Sequence, residues 1–130
     1  MKTKLTSNVS FLSPFLKGLG RIVPIERVSS VKGYRVTKGL TERQQASIIR
    51  HSQRKYSINL KVQALKNKKY EYPTLEQVLL DFSHELAHLI EWHHTPEHFR
   101  IQSKIMLHFA KQLRNNGIKE HNVRINRIRS

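Results

Sequence analysis

Five of the chain's eight histidines fall within Asp81–Phe99, DFSHELAHLIEWHHTPEHF, a stretch with no lysine or arginine. His84 and His88 are four residues apart. Four residues of helix advance about 400°, so both imidazoles leave the same face. Zinc takes nitrogen ligands in a tetrahedron, and such a pair fills two of its corners. Glu85 lies one step round from His84. From there it can reach a water at the metal without ligating it, which is the H-E-x-x-H arrangement with glutamate as general base. A catalytic zinc site has three protein ligands and one open position. His93 and His94 both follow the expected end of the helix, where a reversing chain brings a side chain back over the metal. The residues alone leave the choice between them open.

The elements that must position these groups can be read from periodicity. Leu75, Val78, Leu79, Phe82, Leu86, Leu89 and Ile90 recur at helical spacing and form a wide apolar stripe. Thr74 followed by Gln77 resembles a capping box at the start of that helix. Thr95 and Pro96 supply an N-cap and a first position for a second helix. Phe99, Gln102, Met106, Phe109 and Leu113 are expected to line its inner face, with Gly117 at its C-terminal stop. Upstream, YSINLKV alternates, with Tyr56, Ile58, Leu60 and Val62 on one face. Together with ASIIR and the polar HSQRK it predicts a hairpin over Ala46–Val62. GYRVTKG is a candidate short strand.

The length of 130 residues suits one domain able to bury a core without disulfides. The absence of cysteine excludes thiolate metal sites and cysteine nucleophiles. No apolar run is long enough to span a membrane. The net charge of +15 is uneven: residues 1–70 carry +14, residues 71–99 carry −6 and residues 100–130 carry +7. A field of this size favours polyanions, nucleic acid above all. The expected location is intracellular, in the cytoplasm, nucleoid or nucleus, with organelle targeting left open. The expected organisation is a basic N-terminal arm over 1–30, a metal-bearing domain over 31–118 and a basic tail over 119–130.

The segment HELAHLIEWHHTP resembles the small zinc metallopeptidases of the SprT, WLM and YgjP groups. Their pattern is HELxH, a short turn, then a histidine that opens a further helix. The YgjP style is nearest, with a small hydroxyl residue and proline after the third histidine, as in Thr95 and Pro96. The likeness extends over about residues 46–113. It implies His84, His88 and His94 as ligands of Zn2+ and Glu85 as the base, and so selects His94 over His93. The chain departs from the pattern at His98, where the family usually has an aromatic residue. Metzincins also place a third histidine six residues past the second, but they need a glycine where Glu91 stands.

The remaining residues carry plainer readings. His98 and His108 are expected to be solvated or packed on the second helix. Asp81, three residues before His84, suits either an orienting carboxylate or a helix-surface acid. Trp92 reads as a packing residue, and Tyr70 and Tyr72 are given no role. The expectation is an α+β fold, a short antiparallel sheet on two main helices with zinc where the helices meet. The function it implies is zinc-dependent hydrolysis of peptide bonds in protein substrates at or near nucleic acid. The alternative is a non-catalytic nucleic-acid-binding or assembly protein stapled by zinc.

Overall fold

The computed structural model describes residues 3–36, 46–66, 69–71 and 74–116. The fold is α+β. Its strands are β1 (Lys4–Leu5), β2 (Val28–Val36), β3 (Ala46–Ser52), β4 (Lys55–Lys66) and β5 (Lys69–Glu71). A short helix α1 (Ser13–Leu16) sits among 3₁₀ turns, and the two main helices are α2 (Leu75–Ala87) and α3 (Pro96–Asn116). The sheet runs β1-β2-β4-β3, with β5 also paired to β4. β3 and β4 form the expected antiparallel hairpin, with Ile48 opposite Ile58 and Ser52 opposite Lys55. Ser52 and Lys55 pair directly, so the turn between them shrinks to Gln53 and Arg54. β2 lies parallel to β4, and β1 parallel to β2, so the sheet is mixed.

The alternation in β4 has its expected result. Tyr56, Ile58, Leu60 and Val62 are all buried beneath the helices. α2 lays Leu75, Val78, Leu79, Phe82 and Leu86 into the same core. Its N-terminus is capped by Thr74, whose hydroxyl accepts from the Gln77 amide at 3.1 Å. The Gln77 side chain does not complete a reciprocal box; it donates to Asp81 at 2.8 Å. α2 tightens at its C-terminal end, with His88 N–H bonded to the Glu85 carbonyl and Leu89 N–H to that of Leu86. A link over residues 88–95 then reverses the chain. Thr95 caps α3 by accepting from the His98 amide at 3.2 Å.

The inner face of α3 is rotated from the expected one. Ile101, Ile105 and Phe109 are buried, whereas Phe99 is 68% exposed. A face led by Ile101 puts more β-branched surface into the core and leaves Phe99 as an outlying ring. Gly117 and the segment 119–130 lie outside the described residues.

Residues 3–30, expected to be an arm, are part of the core. Val9, Leu12, Phe15, Leu19 and Val23 are essentially inaccessible. Phe15 meets Phe109 edge-on at 5.7 Å, and Phe82 stacks on the other side of Phe109 at the same separation. Polar bonds fix this segment to β2. Thr6 Oγ1 accepts from the Gly33 amide at 3.0 Å, and Asn8 Nδ2 donates to the Gly33 carbonyl at 3.1 Å. The Asn8 amide occupies the place of a Gly33 Cβ, which would fall 2.5 Å from Asn8 Oδ1. The core therefore spans the chain from Val9 to Phe109. Phe15→Ala should destabilise the protein by about 3–5 kcal/mol, the usual cost of truncating a buried phenylalanine. Urea denaturation followed by circular dichroism checks this; a midpoint unchanged from wild type would return the segment to the status of an arm.

Candidate metal centre

The α2–α3 link brings four imidazoles together. One ring nitrogen from each of His84, His88, His94 and His98 lies within 4.8 Å of one from every other. Ring centroids in the group are separated by 4.2 Å for His88–His98 and by 5.3 Å for His94–His98. His84 and His88 come from successive turns at the end of α2, His94 from the link and His98 from the first turn of α3. His88 and His98 are buried, and His94 is on the exposed side. Four histidines are thus close enough to hold a metal ion. The edge of a tetrahedron built on zinc–nitrogen bonds is roughly 3.3 Å, so only a small contraction is required.

The bonds around the rings fix their roles. His84 Nδ1 faces Gln102 Oε1 at 3.1 Å, and His84 Nε2 faces His94 Nε2 at 3.0 Å. With Nδ1–H donating to Gln102, the Nε2 lone pair of His84 points into the cluster. Two imidazole nitrogens so close need a shared proton or a cation between their lone pairs. His88 Nδ1 is buried without a hydrogen-bond partner. His98 Nε2 donates to the backbone carbonyl of His84 at 3.0 Å. That carbonyl belongs to the last turn of α2, where backbone acceptors lose their helical partners.

Electrostatics favours the neutral, ligating forms. Burial pushes His88 down to about 4, and the neighbouring His98 and His84 add to the effect. Burial likewise lowers His98, although its bond to the His84 carbonyl opposes this. Glu85 is pushed up to about 7, first by burial and then by the charge of Asp81. Asp81 is itself raised by burial, with Gln77, Lys61 and His84 working against the shift. Tyr34, on β2, is raised by burial and then by Asp81 and Glu85. A carboxylate held near neutrality is poised for proton transfer, and a bound cation would draw its value back down.

Of the two candidates for the third ligand, His94 is in the cluster and His93 is not. His98, expected to be solvated or merely packed, stands inside it as a fourth member. Gln102, not Asp81, bonds to the His84 ring. The signal for both was their spacing: His98 and Gln102 are four apart, on the flank of α3 beside Ile101 and Ile105. His108 is remote from the cluster, with its ring against Gly18. Trp92 packs on Tyr56 and His88. The Tyr70 side chain and Tyr72 lie outside the described residues.

Comparison with known proteins finds no family model, curated protein or solved structure that matches the chain.

The raised Glu85 has a testable sign in the metal-free protein. Its folded form binds a proton more tightly than the unfolded chain, so its contribution to stability falls as pH rises from about 4.5 to about 7. The difference in stability between wild type and Glu85→Gln, from urea titrations of metal-free protein, should move in favour of the variant across that window. A difference independent of pH would mean that Glu85 ionises as freely in the fold as outside it.

Proposed function

We propose that the chain is a zinc-dependent metallopeptidase. The observation that carries this reading is the convergence of His84, His88 and His94 beside a buried Glu85 on the same turn of α2. The three histidines would hold the ion, and bound zinc supplies Lewis acidity to the scissile carbonyl and the attacking water. Glu85 accepts a proton from that water as its oxygen adds to the peptide carbon. It then returns the proton to the amine nitrogen as the C–N bond breaks. Gln102 keeps the His84 ring turned toward the ion. The H-E-x-x-H spacing and the resemblance to the SprT, WLM and YgjP groups support the same assignment.

Glu85→Gln should keep the metal and the fold but lose peptide hydrolysis by on the order of 100-fold or more, since glutamine matches the shape but cannot take the proton. Cleavage of a fluorogenic peptide library by zinc-loaded wild type and variant, with metal content measured in parallel, tests the assignment. Unchanged cleavage in the variant would remove Glu85 from the mechanism.

The basic segments outside residues 71–99 would bring the enzyme to nucleic acid, and so to nucleic-acid-bound protein substrates in the cytoplasm, nucleoid or nucleus. Binding should run through phosphates, away from the acidic metal segment, with little sequence preference. Contact with about six phosphates of duplex DNA gives a slope of roughly −5 for log affinity against log salt. Anisotropy titrations at several salt concentrations read that slope; a flat dependence would end the nucleic-acid part of the proposal.

One observation favours a second reading. His98 stands where a fourth protein ligand would, and a closed site suits a metal staple in a non-catalytic nucleic-acid-binding or assembly protein.

A further inference from the structure

Among the described residues, His98 is bonded through one ring nitrogen. Its Nε2 faces the His84 carbonyl oxygen, which can only accept, so Nε2 carries the proton and the lone pair of the neutral ring is on Nδ1. A histidine that ligates a metal commonly donates its other N–H to a backbone carbonyl in this way. The ring is buried, 3% exposed, and lies against both His88 at 4.2 Å and His84 at 4.6 Å. Capping the end of α2 would account for the Nε2 bond alone. It does not account for the placement of an imidazole against three others, at 4.2–5.3 Å between ring centroids, where an apolar ring could fill the same space.

We propose that His98 is the fourth nitrogen ligand of the metal, through Nδ1, and that it closes the coordination sphere of the resting protein. This rests on metal binding at His84, His88 and His94 and goes beyond it. Four imidazoles leave no position for water, so hydrolysis requires one of them to withdraw. The Nε2–H bond to the His84 carbonyl would act as a pivot, holding the ring against α2 while Nδ1 turns away from the ion. The fourth histidine then reconciles a closed site with a catalytic one. Closed, it would shield the ion, and its release would make room for a substrate carbonyl or water.

The test uses the full-length protein with 15N-labelled histidine, loaded with 113Cd2+. Four ring nitrogens split by cadmium are expected in the wild type, one of them an Nδ1 that disappears in His98→Phe while three remain. Three split nitrogens in the wild type, from His84, His88 and His94, overturn the proposal and leave the three-ligand reading standing. Failure of the wild type to retain Zn2+ or Cd2+ in equilibrium dialysis overturns both. The wild-type count decides even where the variant does not fold. As a second measurement, zinc-loaded His98→Phe should bind acetohydroxamate at least tenfold more tightly than wild type, because a coordination position has been opened. Equal affinities overturn the closure.

Discussion

Four imidazoles packed at ring separations of 4.2–5.3 Å are the arrangement on which the rest of the molecule depends. Their lone pairs face one another, and two of the rings are withdrawn from water. Such a group disfavours protonation, first through burial and then through the neighbouring rings, as at His88, and its four nitrogens are close enough to hold one metal ion. Holding it together requires two helices to meet at a fixed angle and distance. The stripe of α2 supplies one half of that constraint, because Phe82 and Leu86 press the helix onto β4. Ile101, Ile105 and Phe109 supply the other by seating α3. The bond from His98 to the His84 carbonyl then joins the two helices at the centre itself.

The acidic groups form a layer beneath this cluster. Asp81 and Glu85 stand one turn apart on α2, near Tyr34 of β2 and Lys61 of β4. The sheet therefore presents a phenol and an ammonium to the two carboxyls. Asp81 is partly balanced by Lys61 and Gln77, whereas Glu85 is left with burial and a like charge as the forces acting on it. The two acids differ in the balance of forces on their protons because they differ in neighbours.

What could be read from the sequence was whatever repeats at a single period. The alternation in YSINLKV and the stripe from Leu75 to Leu89 each commit one face over several residues and are buried as expected, but Ile90, expected in the same stripe, is 50% exposed because α2 ends at Ala87. Thr74 and Thr95 were legible as caps because capping depends on local chemistry. The N-terminal segment was less legible. Val9, Leu12, Phe15 and Leu19 do recur at three- and four-residue intervals, but Pro14, Gly18 and Gly20 interrupt the helix such spacing suggests. The segment instead buries those residues from 3₁₀ turns, which a search for long periods passes over. His98 was half legible: its spacing from Gln102 puts both on one flank of α3, but does not say what that flank meets. A histidine's role is set by what lies across from it, and its partner, the carbonyl of His84, is a backbone atom that no sequence pattern marks.

The seating of Phe15 against Phe109, with the Gln112 amide donating to the Lys17 carbonyl, ties together positions 95 residues apart in the second pair. During synthesis these turns leave the ribosome well before the surface of α3 that covers them. Until α3 is made, Val9, Leu12, Phe15 and Leu19 have no complete core to enter, and loop closure over such a distance is slow. The nascent chain thus carries this apolar, basic segment uncovered until α3 follows, the kind of exposure that makes incomplete chains prone to association. The same late helix delivers His98. Closing this core and completing the histidine cluster are therefore a single event, so the four imidazoles come together only once α3 is seated.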